Sequence, residues 1–185
     1  THGVERQGQG SWTAESPRRS KPFVMVEEDR VPMAKDLLDR AGMRLTWPHD
    51  AMVAPSLDRA REAKAVHRNE IPKDQAMFDI GPQSSASYSR AIATAKTTIW
   101  NGPMGVFETP PFDAATVALA KIAAALTTDG SLVSVAGGGD TVAALNHAGV
   151  AADFSFVSTA GGAFLEWMEG RVLPGVAALS NGVKQ

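Results

Sequence analysis

The sequence predicts an α/β fold of three layers, with a parallel sheet covered by helices on both faces. Three observations carry this. Short β-branched runs alternate with segments of helical period between residues 97 and 169. Each of these runs is closed by a glycine-containing turn, and two of the turns open directly into a helix. Charge is uneven: 25 of the 38 charged residues lie in positions 1–75, which makes the C-terminal part the better buried one.

Taken in order, residues 1–22 are rich in Gly, Ser, Arg and Gln and show no assignable period. They are read as an irregular arm, flexible at Gly8-Gln9-Gly10-Ser11 and basic between Pro17 and Pro22. From Glu27 the pattern turns helical. Val31, Ala34, Leu37, Leu38 and Ala41 share a face, acidic residues open the segment, and Gly42 closes it. Met43–Trp47 reads as a strand stopped by Pro48, and residues 48–75 as an irregular, charged excursion from the main sheet. Met77–Ile80 is a returning strand ended by Gly81-Pro82, Ser84–Ala95 a weak helix, and Thr97–Trp100 the next strand. The rest repeats one plan. Helices are expected over Phe112–Leu126, from the glycines at 137–139 to His147, and from Thr159 to Glu169; strands at Leu132–Ala136 and Phe154–Ser158 separate them. Crossovers between parallel strands should be right-handed, giving a Rossmann-like sheet.

Several classes are disfavoured at once. A formal net charge of −2 is not that of a general nucleic-acid binder. Without cysteine there is neither a disulfide framework nor a thiolate metal site, which suits an intracellular, cytoplasmic protein. The first residues show no apolar signal-like core, and the longest apolar stretch, Ala114–Leu126, is interrupted by Lys121 and too short for a membrane. The four histidines have no ligand spacing, Glu166 and Glu169 fit a solvated helix face, and Trp47, Trp100 and Trp167 fit core or loop packing.

The chemistry is expected at one edge of the sheet. Asn101-Gly102-Pro103-Met104-Gly105 follows a strand and cannot continue it, since Gly102 is free to take positive φ and Pro103 lacks an N–H. By itself this stretch reads equally well as a tight turn. Gly137-Gly138-Gly139 and Gly161-Gly162 each join a strand to a helix, where glycines let an anion reach unpaired N–H groups. Together the three loops favour a ligand at the strand ends. Neither glycine run is followed by the Lys-Ser/Thr of a P-loop, nor by the acidic residue of a dinucleotide fingerprint. Asp140, directly after a glycine run, fits an N-cap worth about 1 kcal/mol. Beside a phosphate cradle it also fits a magnesium ligand, and the two roles are compatible.

These residues resemble a known family. Trp100–Glu108, Gly137-Gly138-Gly139-Asp140-Thr141, Ser158–Ala163 with Leu165-Glu166, and Leu173-Pro174-Gly175-Val176 are similar, in order and spacing, to the C-terminal nucleotide-binding domain of phosphoglycerate kinase. Asp79-Ile80-Gly81-Pro82 and Val26-Glu27-Glu28-Asp29 extend the resemblance, which runs from about Val24 to Leu179. It implies a partial nucleotide-binding domain over 23–185, truncated at its N-terminal side. The implied reaction is glycolytic phosphoryl transfer between 1,3-bisphosphoglycerate and ADP, with ATP/ADP and Mg²⁺ as cofactors. By the same resemblance Glu108 holds the ribose, Pro103 and Val106 line the adenosine site, and Asn101 lies near the phosphates. Gly137, Gly138, Gly139, Asp140 and Thr141 serve phosphates and metal, with Asp140 the metal ligand. Gly138, Gly161 and Gly162 face the transferring group.

The departures are specific. The family's phosphoglycerate-binding N-terminal domain and the opening strands of the C-terminal domain are not recognisable, so the chain is expected to bind nucleotide without turning over. Phosphoglycerates are expected as partners only when the missing domain is supplied; nucleic acid and membrane are not expected. Ala160 stands where many members carry glycine, and Met77 where a small residue often lies near adenine. A non-catalytic interaction module that kept the fold is the alternative, and a sugar- or acyl-binding protein of similar topology a third.

Overall fold

The computed structural model describes residues 4–7, 11–14, 31–174 and 177. Two compact units are present, Thr1–Tyr88 with Glu108–Ala115, and Ser89–Phe107 with Thr116–Gln185. The resemblance at Val26–Asp29, the acidic start of the first helix, the glycines of the stretch read as flexible at 8–10, the basic stretch at 17–22, and Gly175-Val176 lie outside the described residues.

In the first unit, β1 (Val4–Gln7) and β2 (Ser11–Ala14) pair antiparallel, Val4 opposite Ala14. Strands of four residues are too short to announce themselves by period, and the irregular reading of 1–22 passes over them. Helix α1 spans Val31–Ala41, as its apolar spacing predicts, yet none of its residues is buried. Period specifies the helix but not what lies against it.

The strand expected at Met43–Trp47 is absent. A turn of 3₁₀ helix occupies Gly42–Arg44, with Gly42 at φ +53°, and the Arg44 guanidinium donates to the carbonyls of Arg40 and Ala41. That contact folds the segment back on the end of α1 and takes it out of reach of a strand partner. Pairing begins later, within the region read as irregular. There β3 (Asp50–Ala54) lies between β4 (Lys64–His67) and β5 (Ala76–Ile80), antiparallel to both. The returning strand therefore joins a small antiparallel sheet, not the parallel one. Sequence alternation misses β3 because Ala51, Val53 and Ala54 are buried on both faces, and misses β4 because most of its side chains are exposed. Phe78 and Phe112 pack with ring centroids 4.9 Å apart, and Phe112 is fully buried.

Asp50 and Asp79 organise this unit. The Asp50 carboxylate accepts the N–H of Gln83 (3.0 Å) and of Ser84 (2.8 Å) in the first turn of α2 (Pro82–Thr94), together with the Ser84 hydroxyl (2.6 Å). Gly81 gives the carboxylate its room, since a Cβ there would overlap it. Asp79 accepts the N–H groups of Ile80 (2.8 Å) and Ala115 (3.1 Å).

In the second unit, β6 (Thr97–Asn101), β7 (Val133–Gly137) and β8 (Phe156–Ser158) form a parallel sheet in that order. This is the parallel α/β plan that the sequence predicts. Helices α3 (Ala114–Thr128), α4 (Gly139–His147) and α5 (Gly161–Met168) follow the expected alternation, with no end displaced by more than two residues. Small residues let α3 pack closely: Ala120, Ala123 and Ala124 are buried beside Leu119, whereas Val117, Ile122 and Leu126 are only half-buried. Trp100, Leu132, Ala136, Leu145 and Phe154 complete the core. Trp100 meets Phe154 edge-on at 6.3 Å, which bears out its packing role, while Trp47 is exposed. No helix among the described residues is long and apolar enough to cross a membrane.

Candidate functional site

Parallel pairing sets the strand ends level. Asn101 is opposite Gly137, and Gly137 opposite Ser158, so the loops after β6, β7 and β8 leave the sheet at the same edge. Ligands of open α/β sheets sit at this carboxyl edge because the following helices turn their N-termini toward it. The expectation that Asn101, Gly137–Gly139 and Gly161–Gly162 share one edge is met by this register.

The loops also touch. Gly138 has φ +102°, a conformation that favours glycine, and its N–H donates to the Ser158 carbonyl at 3.0 Å. A Cβ placed on Gly138 would lie 3.6 Å from Asn101 Oδ1 and 3.5 Å from Thr141 Oγ1. One placed on Gly161 would lie 2.5 Å from the Gly138 Cα. Glycine is thus favoured at 138 by its positive φ and demanded at 161 by backbone contact, while Gly139 and Gly162 have open space around them.

Helix α4 begins at Gly139 and its N-cap is Gly138, which supplies no side-chain cap bond. Its leading N–H groups are left without a capping side chain, the arrangement that attracts anions. The N-cap expected at Asp140 falls instead at Gly138, two residues earlier: Asp140 is the second helical residue, with its side chain exposed. The physical reason is that Gly138, by taking positive φ, starts the helix earlier than a capping aspartate would. An exposed carboxylate next to unpaired N–H groups would repel a phosphate unless a cation lay between them. Among the described residues no group of three His, Asp or Glu side chains could hold a metal. A metal here would take Asp140 and complete its shell with ligand and water oxygens, which is how Mg²⁺ is ordinarily held. The residues present fit that ion.

Thr141 is buried, and its Oγ1 accepts the Gly102 N–H at 2.7 Å. The Trp100 indole N–H donates to the Gly102 carbonyl at 2.6 Å, and the Met104 N–H donates to Thr116 Oγ1 at 3.0 Å. Pro103 and Val106 are half-buried and Asn101 is exposed. Phe107 is buried and meets the His147 ring edge-on at 6.0 Å. Glu108 is exposed and belongs to the first unit, as does Met77. Sequence reasoning missed the part played by Trp100 and Thr116 in holding the loop. A buried indole must find an acceptor, and that requirement was the available signal.

The comparison with known families is decisive on kinship. The family model described as phosphoglycerate kinase matches residues 20–171. The chain belongs to the phosphoglycerate kinase family. Among relatives, the phosphoglycerate kinase of Rhizorhabdus wittichii is 60% identical over 144 residues, 78% of this chain and 36% of the relative. That of Novosphingobium aromaticivorans is 54% identical over 159 residues, 84% of this chain and 40% of the relative. Among solved structures, phosphoglycerate kinase from Coxiella burnetii superposes with a TM-score of 0.73 at 38% identity, covering 85% of this chain and 40% of that one. Phosphoglycerate kinase from Pyrococcus horikoshii gives a TM-score of 0.69 at 29% identity, covering 82% and 36%. The chain thus spans roughly two fifths of the length of the phosphoglycerate kinases it matches.

Proposed function

We propose that this chain binds Mg-ADP or Mg-ATP as the nucleotide-holding part of a phosphoglycerate kinase. The reaction served is phosphoryl transfer between 1,3-bisphosphoglycerate and ADP, in the cytoplasm. The single observation behind this is the meeting of three glycine-containing loops at one edge of the parallel sheet, in a chain of this family.

In this reading the N–H groups at the starts of α4 and α5, at Gly139–Thr141 and Gly161–Gly162, receive phosphate oxygens, while Gly138, whose N–H is held by Ser158, gives the turn its shape. Asn101 stands beside them, Pro103 and Val106 line the adenosine side, and Glu108 binds the ribose hydroxyls. Bound Mg²⁺ would supply charge neutralisation on the phosphates, with Asp140 as its protein ligand. Phosphoryl transfer asks little covalent chemistry of a protein. Positioning and preorganised N–H donors do most of the catalysis. The acceptor must also be brought in line with the phosphoryl group, which needs the phosphoglycerate-binding portion of the family. The 185-residue chain is therefore expected to bind and not to turn over.

Calorimetric titration of the full chain with Mg-ADP tests this. Saturable binding that Glu108→Ala weakens about tenfold or more supports it. Absence of binding, or equal binding by the variant, overturns the assignment of the site. A second reading, a non-catalytic interaction module, is favoured by one observation: Ile99, Val133 and Phe156 are exposed on the parallel sheet. Sedimentation distinguishes it, since a monomer with full nucleotide affinity leaves such a surface no task.

A further inference from the structure

We infer that Trp100 and Thr141 together fix the Gly102 peptide, making Thr141 a positioning residue for the loop Asn101–Val106 in addition to any contact with phosphate. The functional consequence rests on the nucleotide reading above.

Gly102 adopts φ +93°, and no atom lies within 4 Å of the position a Cβ would take. Side-chain packing therefore does not impose this conformation, and glycine could leave it at little steric cost. Two hydrogen bonds hold it instead. Thr141 Oγ1 accepts the Gly102 N–H and the Trp100 indole N–H donates to the Gly102 carbonyl, at 2.7 and 2.6 Å. Both side chains are themselves immobilised. Thr141 is 1% exposed and Trp100 4% exposed, with the indole braced by Phe154.

The next residue, Pro103, has no N–H to offer, and the Met104 N–H is taken by Thr116 of α3. The loop is thus suspended from side chains of β6, α3 and α4. Thr141 is the member that ties it to the glycine turn of β7–α4. Its hydroxyl accepts from Gly102 while its backbone belongs to the first turn of α4. One side chain then links the loop assigned to adenosine with the turn assigned to phosphates.

Adenosine, which has no phosphate, separates positioning from phosphate contact. The full chain is titrated with adenosine and with Mg-ADP, as wild type, Thr141→Val, Thr141→Ser and Trp100→Phe. Exchange of the Gly102 amide proton is measured on each. Positioning predicts that Thr141→Val weakens both ligands about fivefold and speeds Gly102 exchange by a similar factor, the scale of one net hydrogen bond. Thr141→Ser, which keeps the hydroxyl, restores both, and Trp100→Phe behaves like Thr141→Val. Adenosine affinity unchanged in Thr141→Val while Mg-ADP weakens overturns the inference, because Thr141 then acts on phosphate alone. So does a lowered thermal midpoint with Gly102 exchange unchanged. If wild type binds neither ligand, the nucleotide reading fails and Gly102 exchange alone decides whether Thr141 positions the loop. If Thr141→Val does not fold, Trp100→Phe carries the same test.

Discussion

Gly138 and Gly161 meet backbone to backbone: a Cβ on Gly161 would stand 2.5 Å from the Gly138 Cα and 2.8 Å from its nitrogen. This contact holds the loop after β8 against the loop after β7. Gly161→Ala must therefore push the two apart, at a cost of about 1–3 kcal/mol, the usual range for overpacking. Gly162→Ala places its Cβ in open space within α5 and is expected to be neutral or slightly stabilising. Thermal unfolding of the two variants side by side checks the difference, and Gly161→Ala should also lose Mg-ADP binding.

Ser84 serves β3 and α2 at once. Its Oγ accepts the N–H of His49 (2.8 Å) and Asp50 (3.1 Å) and donates to the Asp50 carboxylate. Ser84→Ala leaves buried N–H groups without an acceptor, so a loss of about 2 kcal/mol is expected. Urea unfolding should show a lower midpoint at unchanged slope. Gly81→Ala should be worse, because its Cβ overlaps the Asp50 carboxylate, which is buried with nowhere to retreat.

Two buried aspartates give opposite pH dependences. Burial pulls the Asp50 carboxyl upward, but the Ser84 hydroxyl and the N–H groups of Gln83 and Ser84 outweigh it and leave it below its ordinary value. Its stabilisation is present above about pH 4 and is lost as pH falls through the lowered value. Asp79 is pushed up to about 6, chiefly by burial and slightly by Asp113, against the pull of the Ala115 and Ile80 N–H groups. Its contribution is complete below about pH 4 and is lost as pH rises through about 6, with an upper bound of about 3 kcal/mol. Asp79→Asn should flatten the stability profile between pH 4 and 6, and Asp50→Asn the profile below pH 4. Unfolding free energies across that range measure both.

Asp140 is exposed and caps nothing, so Asp140→Asn should leave stability within about 0.5 kcal/mol of wild type. Its effect is expected on the metal dependence of binding. Wild type should bind ADP more tightly with Mg²⁺ than with EDTA, and the variant should lose most of that difference. Titrations with and without the metal provide the check.

Much of the second unit was legible before any coordinates. Parallel strands with glycine turns have a strong local signature, because each strand is a short run built on β-branched or aromatic residues and each turn needs positive φ or close approach. The order Asn101, Gly137–Gly139, Gly161–Gly162 therefore pointed to one sheet edge, and strand register put it there. Of the antiparallel sheet β4-β3-β5 only β5 was legible, as the strand expected at Met77–Ile80. β3 and β4 are short, one buried on both faces and the other mostly exposed, and carry no alternation to read.

By itself, then, the sequence determined the α/β alternation, the level edge of glycine turns and kinship to a kinase family. Only the tertiary structure decided that Met43–Trp47 is not a strand, that Asp140 lies inside α4 and that Thr141 and Trp100 hold Gly102. The physical reason is range. Period and turn chemistry act over a few residues, whereas the bonds from Asp50 to Ser84 and from Gly102 to Thr141 join segments 34 and 39 residues apart.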